Sequence, residues 1–310
     1  MRLRPTLALF LPSNTRKTEL PSVAATRGFL ASLGARTAPF ALLCAAAHPQ
    51  SVHIYSEFRR IAPNGAVLEQ DRPGRPREII SPAVARNGFA SFRLVLSAPA
   101  GKSFALHFSD NPEKSFQYTL YRELAAQSGQ TAVPDLLEHA PLPVSGVFTD
   151  SPITYWLDIL VPAAIPTGRI RVEAQLNVDD HWIIYPLEVR VLPASIPRHA
   201  ALSFPLPSAN LVSAQSALVP LQNYLCGKPA PVPQTGPPTI RQMIARNALQ
   251  DVALARSLEP ALGAAHLHQT LLGWIGAPDV KTWCAARLEA PPDPELYLKM
   301  RDFLYKSAVR

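Results

Sequence analysis

From residue 51 to 193 apolar residues recur mostly at every second position, the period of a strand with one face in a core and one in water. The clearest run is 169–177 (RIRVEAQLN). Ile170, Val172, Ala174 and Leu176 fall on one side of it, and Arg169, Arg171, Glu173 and Gln175 on the other. Residues 181–192 (HWIIYPLEVRVL) repeat the pattern, with Leu187, Val189 and Val191 against Glu188 and Arg190. Asp179-Asp180 between the two runs reads as a hairpin turn. Shorter runs at 51–60, 89–96, 103–108, 116–122 and 154–161 are rich in branched and aromatic residues. Turn signals separate them, among them Pro63-Asn64-Gly65 and Ser109-Asp110-Asn111-Pro112. About seven short strands with close turns predict a β-sandwich of the Ig-like kind over 48–197.

The period changes to about 3.6 after residue 238. Thr239 is placed to cap a helix carrying Ile240, Met243, Ile244, Ala248 and Val252 on one side. Pro260 is expected to restart a second helix that ends near Gly273–Gly276. A third spans 280–288, and a last one opens at Asp293 or Pro294 with Leu296, Met300, Phe303 and Leu304 on one face. The prediction is therefore a mainly β sandwich followed by a small α-helical C-terminal region over 239–310. Ten prolines lie between Pro193 and Pro238 with weak periodicity, so 198–238 reads as a proline-rich linker.

Composition agrees with this outline. The 310 residues hold 33 prolines and are 47% hydrophobic, which excludes a disordered chain and a long coiled coil. No apolar run reaches the roughly 18 residues that span a bilayer. The net charge of +7 would suit a nucleic-acid partner if it were spread over the chain. It is not. Arg2, Arg4, Arg16, Lys17, Arg27 and Arg36 face the single acid Glu19 within residues 1–47, and the remainder is close to neutral. No nucleic-acid partner is expected.

The basic segment has the order of an export signal. Arg27 and Arg36 precede an apolar stretch at 37–47 (TAPFALLCAAA), which closes on the A-x-A pattern Ala45-Ala46-Ala47. Residues 1–47 are read as a leader, longer than usual, which an over-extended start would explain. The other reading is a basic tail before a buried element. Removal of the leader would take Cys44 with it and leave Cys226 and Cys284. That pair forms one disulfide in an oxidising compartment, or stays as two buried thiols. The expected location is secreted or periplasmic.

The segment from Phe89 to Pro197 resembles a β-sandwich module that precedes glycoside-hydrolase-type barrels in secreted bacterial proteins. The resemblance rests on Phe92-Arg93-Leu94-Val95-Leu96, on Trp156-Leu157-Asp158-Ile159-Leu160-Val161-Pro162, on Pro166-Thr167-Gly168, and on Val191-Leu192-Pro193-Ala194-Ser195-Ile196-Pro197. It implies an Ig-like sandwich and an association with carbohydrate. It transfers no catalytic residue. The barrel that would carry the carboxylate pair needs about 250 residues, and the 113 from Arg198 to Arg310 read as linker and helices.

Candidate chemistry is thin. Asp110, Glu113, Asp158, Asp179 and Asp180 are the acids available for a glycosidase pair, but acids at turns ordinarily bend or cap the backbone. Asp158 sits in an otherwise apolar strand, where it faces solvent at an edge or pairs with an arginine. His266 and His268 are two apart in a predicted helix and so point to different sides, which excludes a shared metal. The arginine loop at Arg72, Arg75 and Arg77 reads as solvated. Tyr155, Trp156, Trp182 and Tyr185 could form a sugar-stacking platform, or lie in the core as strand tryptophans of Ig-like domains do. No motif asks for a cofactor. The sequence thus points to a non-enzymatic binding or interaction protein whose partner is a polysaccharide or an envelope protein. The alternative is a carbohydrate-active enzyme or a truncated relative of one.

Overall fold

The computed structural model describes residues 50–67, 81–128, 131–196, 213–227, 237–274, 278–285 and 294–308. All of them belong to a single compact unit. The leader expected over 1–47 and the arginine loop at 72–77 lie outside the described residues.

The chain is mostly β, with a smaller helical C-terminal part. Among the described residues ten strands, β1 (Ser51–Ser56), β2 (Ala83–Arg86), β3 (Gly88–Ser97), β4 (Ser103–Asn111), β5 (Gln117–Ser128), β6 (Thr131–Ala140), β7 (Val144–Val147), β8 (Ile153–Val161), β9 (Gly168–Val178) and β10 (His181–Ser195), precede five helices. These are α1 (Ser213–Leu225), α2 (Ile240–Leu262), α3 (Ala264–Trp274), α4 (Val280–Ala285) and α5 (Pro294–Ser307). The first sheet has the order β1-β3-β8-β5-β6 and the second β2-β10-β9-β4-β7.

Alternation decides which side chains meet. Phe92, Leu94 and Leu96 of β3 and Leu157, Ile159 and Val161 of β8 share one buried cluster with Ile170, Val172, Ala174 and Leu176 of β9 and Leu187, Val189 and Val191 of β10. That cluster draws on both sheets. The other face of β8 carries Trp156, which belongs to a second cluster with Ile240, Ile244 and Leu254 of α2, Leu271 of α3 and Met300 and Leu304 of α5. Strand β8 is therefore covered on both faces, and this explains why it reads as almost continuously apolar.

The hairpin between β9 and β10 turns at Asp179 and Asp180, with φ of 44° and 65°. Two residues with positive φ match the right-handed twist of the paired strands, a geometry that aspartate tolerates. Helix α2 starts at a capping box, in which Thr239 Oγ1 accepts from the Gln242 amide at 3.2 Å and Gln242 Oε1 accepts from the Thr239 amide at 2.9 Å. Where α2 meets the start of β3, Gln250 Oε1 accepts from the Phe89 amide at 2.9 Å. A Cβ on Gly88 would stand 2.9 Å from that same oxygen and 2.9 Å from the Ala85 carbonyl oxygen, which as backbone cannot move aside, so glycine is required there.

Four expectations need correction. Strands β2, β6 and β7 do not appear in the hydrophobic pattern. Strand β6 contains Pro134, which is admissible because β6 is an edge strand and a register shift lies opposite, between Leu124 and Ala125. The region read as a linker over 198–238 contains helix α1, with Pro220 inside it. An interior proline costs about 3 kcal/mol. Burial of Leu218, Leu221 and Leu225 outweighs this, at about 1.5–3 kcal/mol for each leucine. Pro260 lies within α2 and does not restart a helix. The break falls at Gly263, with φ +80°. The turn expected at 109–112 starts later, because β4 runs on to Asn111.

Between the first sheet and the helices lies a buried polar network. Asp158 is 2% exposed. It receives Arg246 Nη1 at 2.6 Å and Nη2 at 2.9 Å, with Ser91 Oγ at 2.6 Å and Trp156 Nε1 at 2.8 Å. Of the two roles expected for Asp158, pairing with an arginine is the one observed. Asn247 carries the network on, donating to Ser91 Oγ and to Glu57. Arg301 then bridges Glu57 Oε1 at 2.9 Å and Asp251 Oδ2 at 3.0 Å, and Asp251 also accepts from the Tyr297 and Tyr305 hydroxyls at 2.7 and 2.8 Å. Arg93 and Glu123 form a separate two-pronged pair at 2.8 and 2.5 Å.

Removing one partner of a buried pair leaves an uncompensated charge, which costs about 3–5 kcal/mol. Arg246→Met is therefore expected to lower unfolding stability in urea by about that amount. Arg171→Ala, on the exposed face of β9, should stay within about 0.5 kcal/mol.

Burial first, and then the Asp251 charge, push the Tyr297 and Tyr305 hydroxyls well above the usual tyrosine range. Their folded pKa values exceed the unfolded value of about 10. The unfolded chain then holds fewer protons once the pH passes that value, so their contribution to stability is intact below about pH 10 and declines above it. Denaturation midpoints should fall with rising alkaline pH, and the fall should be shallower in the Tyr297→Phe/Tyr305→Phe double variant.

Candidate functional site

The outer face of the second sheet is built by the same alternation that fills the core. On β10, Leu187, Val189 and Val191 point inward, so Trp182, Ile184, Pro186 and Glu188 point outward. Trp182 is 57% and Ile184 53% exposed. The register places Trp182 opposite Asn177 of β9, Asn177 opposite Ala105 of β4, and Ala105 opposite Ser145 of β7. The next outward row holds Ile184, Gln175 and His107. The rings of His107 and Trp182 lie 6.0 Å apart between centroids, tilted at 49°.

Polar groups around this aromatic pair are held in place. Gln175 Nε2 donates to Ser109 Oγ at 3.0 Å and to Glu173 Oε2 at 3.1 Å, and Asn177 Oδ1 accepts from the Asp180 amide at 3.3 Å. The formal charges on the face are bridged to one another, Arg171 to Glu173 at 2.7 Å and Arg169 to Glu188 at 3.2 Å. At the hairpin end, Lys102 meets Asp179 at 2.8 Å. The hydrogen bond from the Lys102 ammonium, followed by those from Ser103, holds the Asp179 carboxyl below the usual carboxylate range.

The four aromatics read from the sequence do not form one platform. Trp156 is fully buried and Tyr155 only 3% exposed, so neither offers a ring face to a ligand. Tyr155 packs between the sheets, and Trp156 lies under the helices, where its indole N–H is committed to Asp158. Tyr185 is half-buried against the inter-sheet core. Trp182 alone of the four is exposed. His107, Asn177, Gln175 and Ile184 escaped notice as a group. Their common parity on β4, β9 and β10 was visible in the sequence, but their side-by-side placement needs the register.

The carboxylates serve the backbone. Asp110 accepts from the Lys114 and Phe116 amides at 3.0 and 2.8 Å, Asp179 and Asp180 form the hairpin turn, and Asp158 is sealed in its ion pair. Glu113 is exposed in the loop after β4. His266 is exposed on α3, whereas His268 stands edge-on to Tyr224 with ring centroids 5.1 Å apart. Among the described residues no group of three or more His, Cys, Asp or Glu could hold a metal ion. Cys226 and Cys284 are joined as a disulfide across Cα atoms 5.7 Å apart.

The sequence matches no family model and no curated protein. Among solved structures, the chain is similar to a family 123 glycoside hydrolase from Clostridium perfringens, at 10% identity and a TM-score of 0.36. The overlap covers 48% of this chain and 28% of the hydrolase, so the chain spans little more than a quarter of that protein's length. It is also similar to the C-terminal domain of the Streptococcus agalactiae polypeptide BspA, at 11% identity and TM-score 0.23, over 46% of this chain and 50% of that one. A third similarity is to the Yersinia enterocolitica fimbrial subunit MyfA, at 9% identity and TM-score 0.21, over 45% and 96% of the two chains. These partial likenesses assign no family. No helix among the described residues is long and apolar enough to cross a membrane.

Proposed function

We propose that the chain is an exported, Ig-like β-sandwich binding protein that takes carbohydrate on the outer face of its second sheet. The observation that carries this reading is Trp182, exposed beside His107 on a sheet face that also carries the amides of Asn177 and Gln175 and the hydroxyl of Ser145. An indole ring packs against the C–H face of a sugar while neighbouring amides and hydroxyls exchange hydrogen bonds with its hydroxyl groups. Trp182 and Ile184 leave apolar surface in water at adjacent outward positions, and a ligand would cover it. The second reading, a glycosidase, needs two carboxylates flanking a sugar at a set separation. Asp110, Asp158, Asp179 and Asp180 are instead tied into turns and an ion pair, which leaves Glu113, exposed in the loop after β4, without a second carboxylate free to work with it.

Incubation of the full chain with a panel of polysaccharides, scoring depletion from solution and release of reducing sugar separately, tests both readings. Depletion without release is expected. Trp182→Ala should weaken it about tenfold, equivalent to about 1.4 kcal/mol, with no loss of thermal stability. Release of sugar would establish the enzymatic reading instead.

Export is supported by the leader pattern in residues 1–47 and by the Cys226–Cys284 disulfide, since such bonds persist in oxidising compartments. N-terminal sequencing of the protein recovered from a bacterial host should begin at His48. A mature chain that retains Arg27 would remove the leader from the account.

A further inference from the structure

Resting on that carbohydrate reading, we infer that the polymer taken is uncharged and lies across the strands, along the row from Trp182 to Ser145. The height of the side chains points to the direction. Asn177, Ala105 and Ser145 follow Trp182 in register across β9, β4 and β7, and all three are small. The adjacent row of Ile184, Gln175 and His107 is bulkier and stands beside it like a rail. Three strand spacings of about 4.8 Å make a floor of about 14 Å, room for a short stretch of extended chain with one ring on the indole.

Charge points to the class. The groups lining the row are an indole, an imidazole, two amides, a methyl group and a hydroxyl. Of the formal charges at the row's edges, Lys102 and Asp179 at the hairpin end are bridged to each other, and Glu173 accepts from Gln175 and is bridged to Arg171. Asp180, two residues before Trp182, adds a carboxylate that would repel an anion. Arg169 and Arg171, the cations that could hold a polyanion, lie six or more residues along β9 from Asn177, about 20 Å away. Each is bridged to a glutamate. An acidic polysaccharide would have to break those bridges, or the one that holds Lys102 to Asp179, to gain a cation. A neutral polymer asks for nothing the row lacks.

Calorimetric titration of the full chain decides this. The probes are two neutral polymers, galactomannan and hydroxyethylcellulose, and two anionic ones, alginate and polygalacturonate, at ionic strengths on the order of 0.05 and 0.5 M. The expected result is binding to a neutral polymer with affinity equal at both salt levels. It should weaken about tenfold in Trp182→Ala and in Ala105→Leu, which raises the floor of the row, and stay unchanged in Arg171→Ala. Binding confined to anionic polymers and fading with salt would overturn the inference while the carbohydrate reading stood. Neutral binding indifferent to Ala105→Leu would overturn the placement along the row. Failure of every polymer to bind would overturn the carbohydrate reading itself.

Discussion

The ion pair between Arg246 and Asp158 holds together the two parts of this molecule that differ most in character. It joins a helix to the middle of a β-sheet, through two nitrogens and two oxygens at 2.6 and 2.9 Å. Taking both charges out of water is expensive, and their attraction offsets that only when the remaining lone pairs are also satisfied. Ser91 and Trp156 provide for this at Asp158, while Asn247 and the face of Phe89, 4.0 Å from the guanidinium carbon, surround Arg246. A slip of one residue in the β3–β8 register would take Ser91 from its place opposite Asp158 and turn it to the other face, leaving the buried carboxylate one partner short. The pair thus specifies a single seating of the helices more than it adds stability.

That seating divides the molecule by face. The first sheet is covered by the second sheet on one side and by the helices over its centre on the other, so most side chains of β3 and β8 are committed to packing or to the buried network. The second sheet is covered by the first on one side and only in part on the other, where α5 packs over β2 and the far end of β10, with Leu192 against the helical cluster and Arg190 toward Asp302. Its outer face is where strand residues remain free to meet a ligand, and it carries Trp182 and His107 there. Rigid strands on a full core hold those side chains in one geometry, which suits the proposed recognition of an extended ligand at little cost in ordering. Lower down the chain the disulfide closes a separation of 58 residues between the end of α1 and α4. In the loop-entropy picture that removes about 4 kcal/mol of freedom from the unfolded chain.

Much of this was legible beforehand, and the limits have physical causes. The alternation in 169–177 and 181–192 marked both faces of β9 and β10 correctly, and the capping residue Thr239 marked the start of α2. Strand β2 escaped because four residues are too few to show a period, and β6 because Pro134 argues against a strand until an edge position is known. Helix α1 escaped because Pro220 stands in its middle and the segment around it is crowded with prolines, which read as a linker. The site was legible by halves. Parity along β10 sends Trp182 outward with Glu188 and Arg190, whereas Trp156 has the parity of Asp158 and reads as exposed unless something covers that face.

By itself, the sequence determined the local facts: which segments alternate, which residues cap, and where the backbone turns at Asp179-Asp180. These follow from interactions within a few residues of one another, so a linear reading reaches them. The tertiary structure decided what lies over each strand. Glu57, Asp158, Arg246 and Arg301 are distant in the chain and form one network only when α2 and α5 close over the first sheet. His107 reaches Trp182 only through the register of β4 on β9 and β9 on β10. Burial and adjacency are properties of that packing, and no single segment carries them.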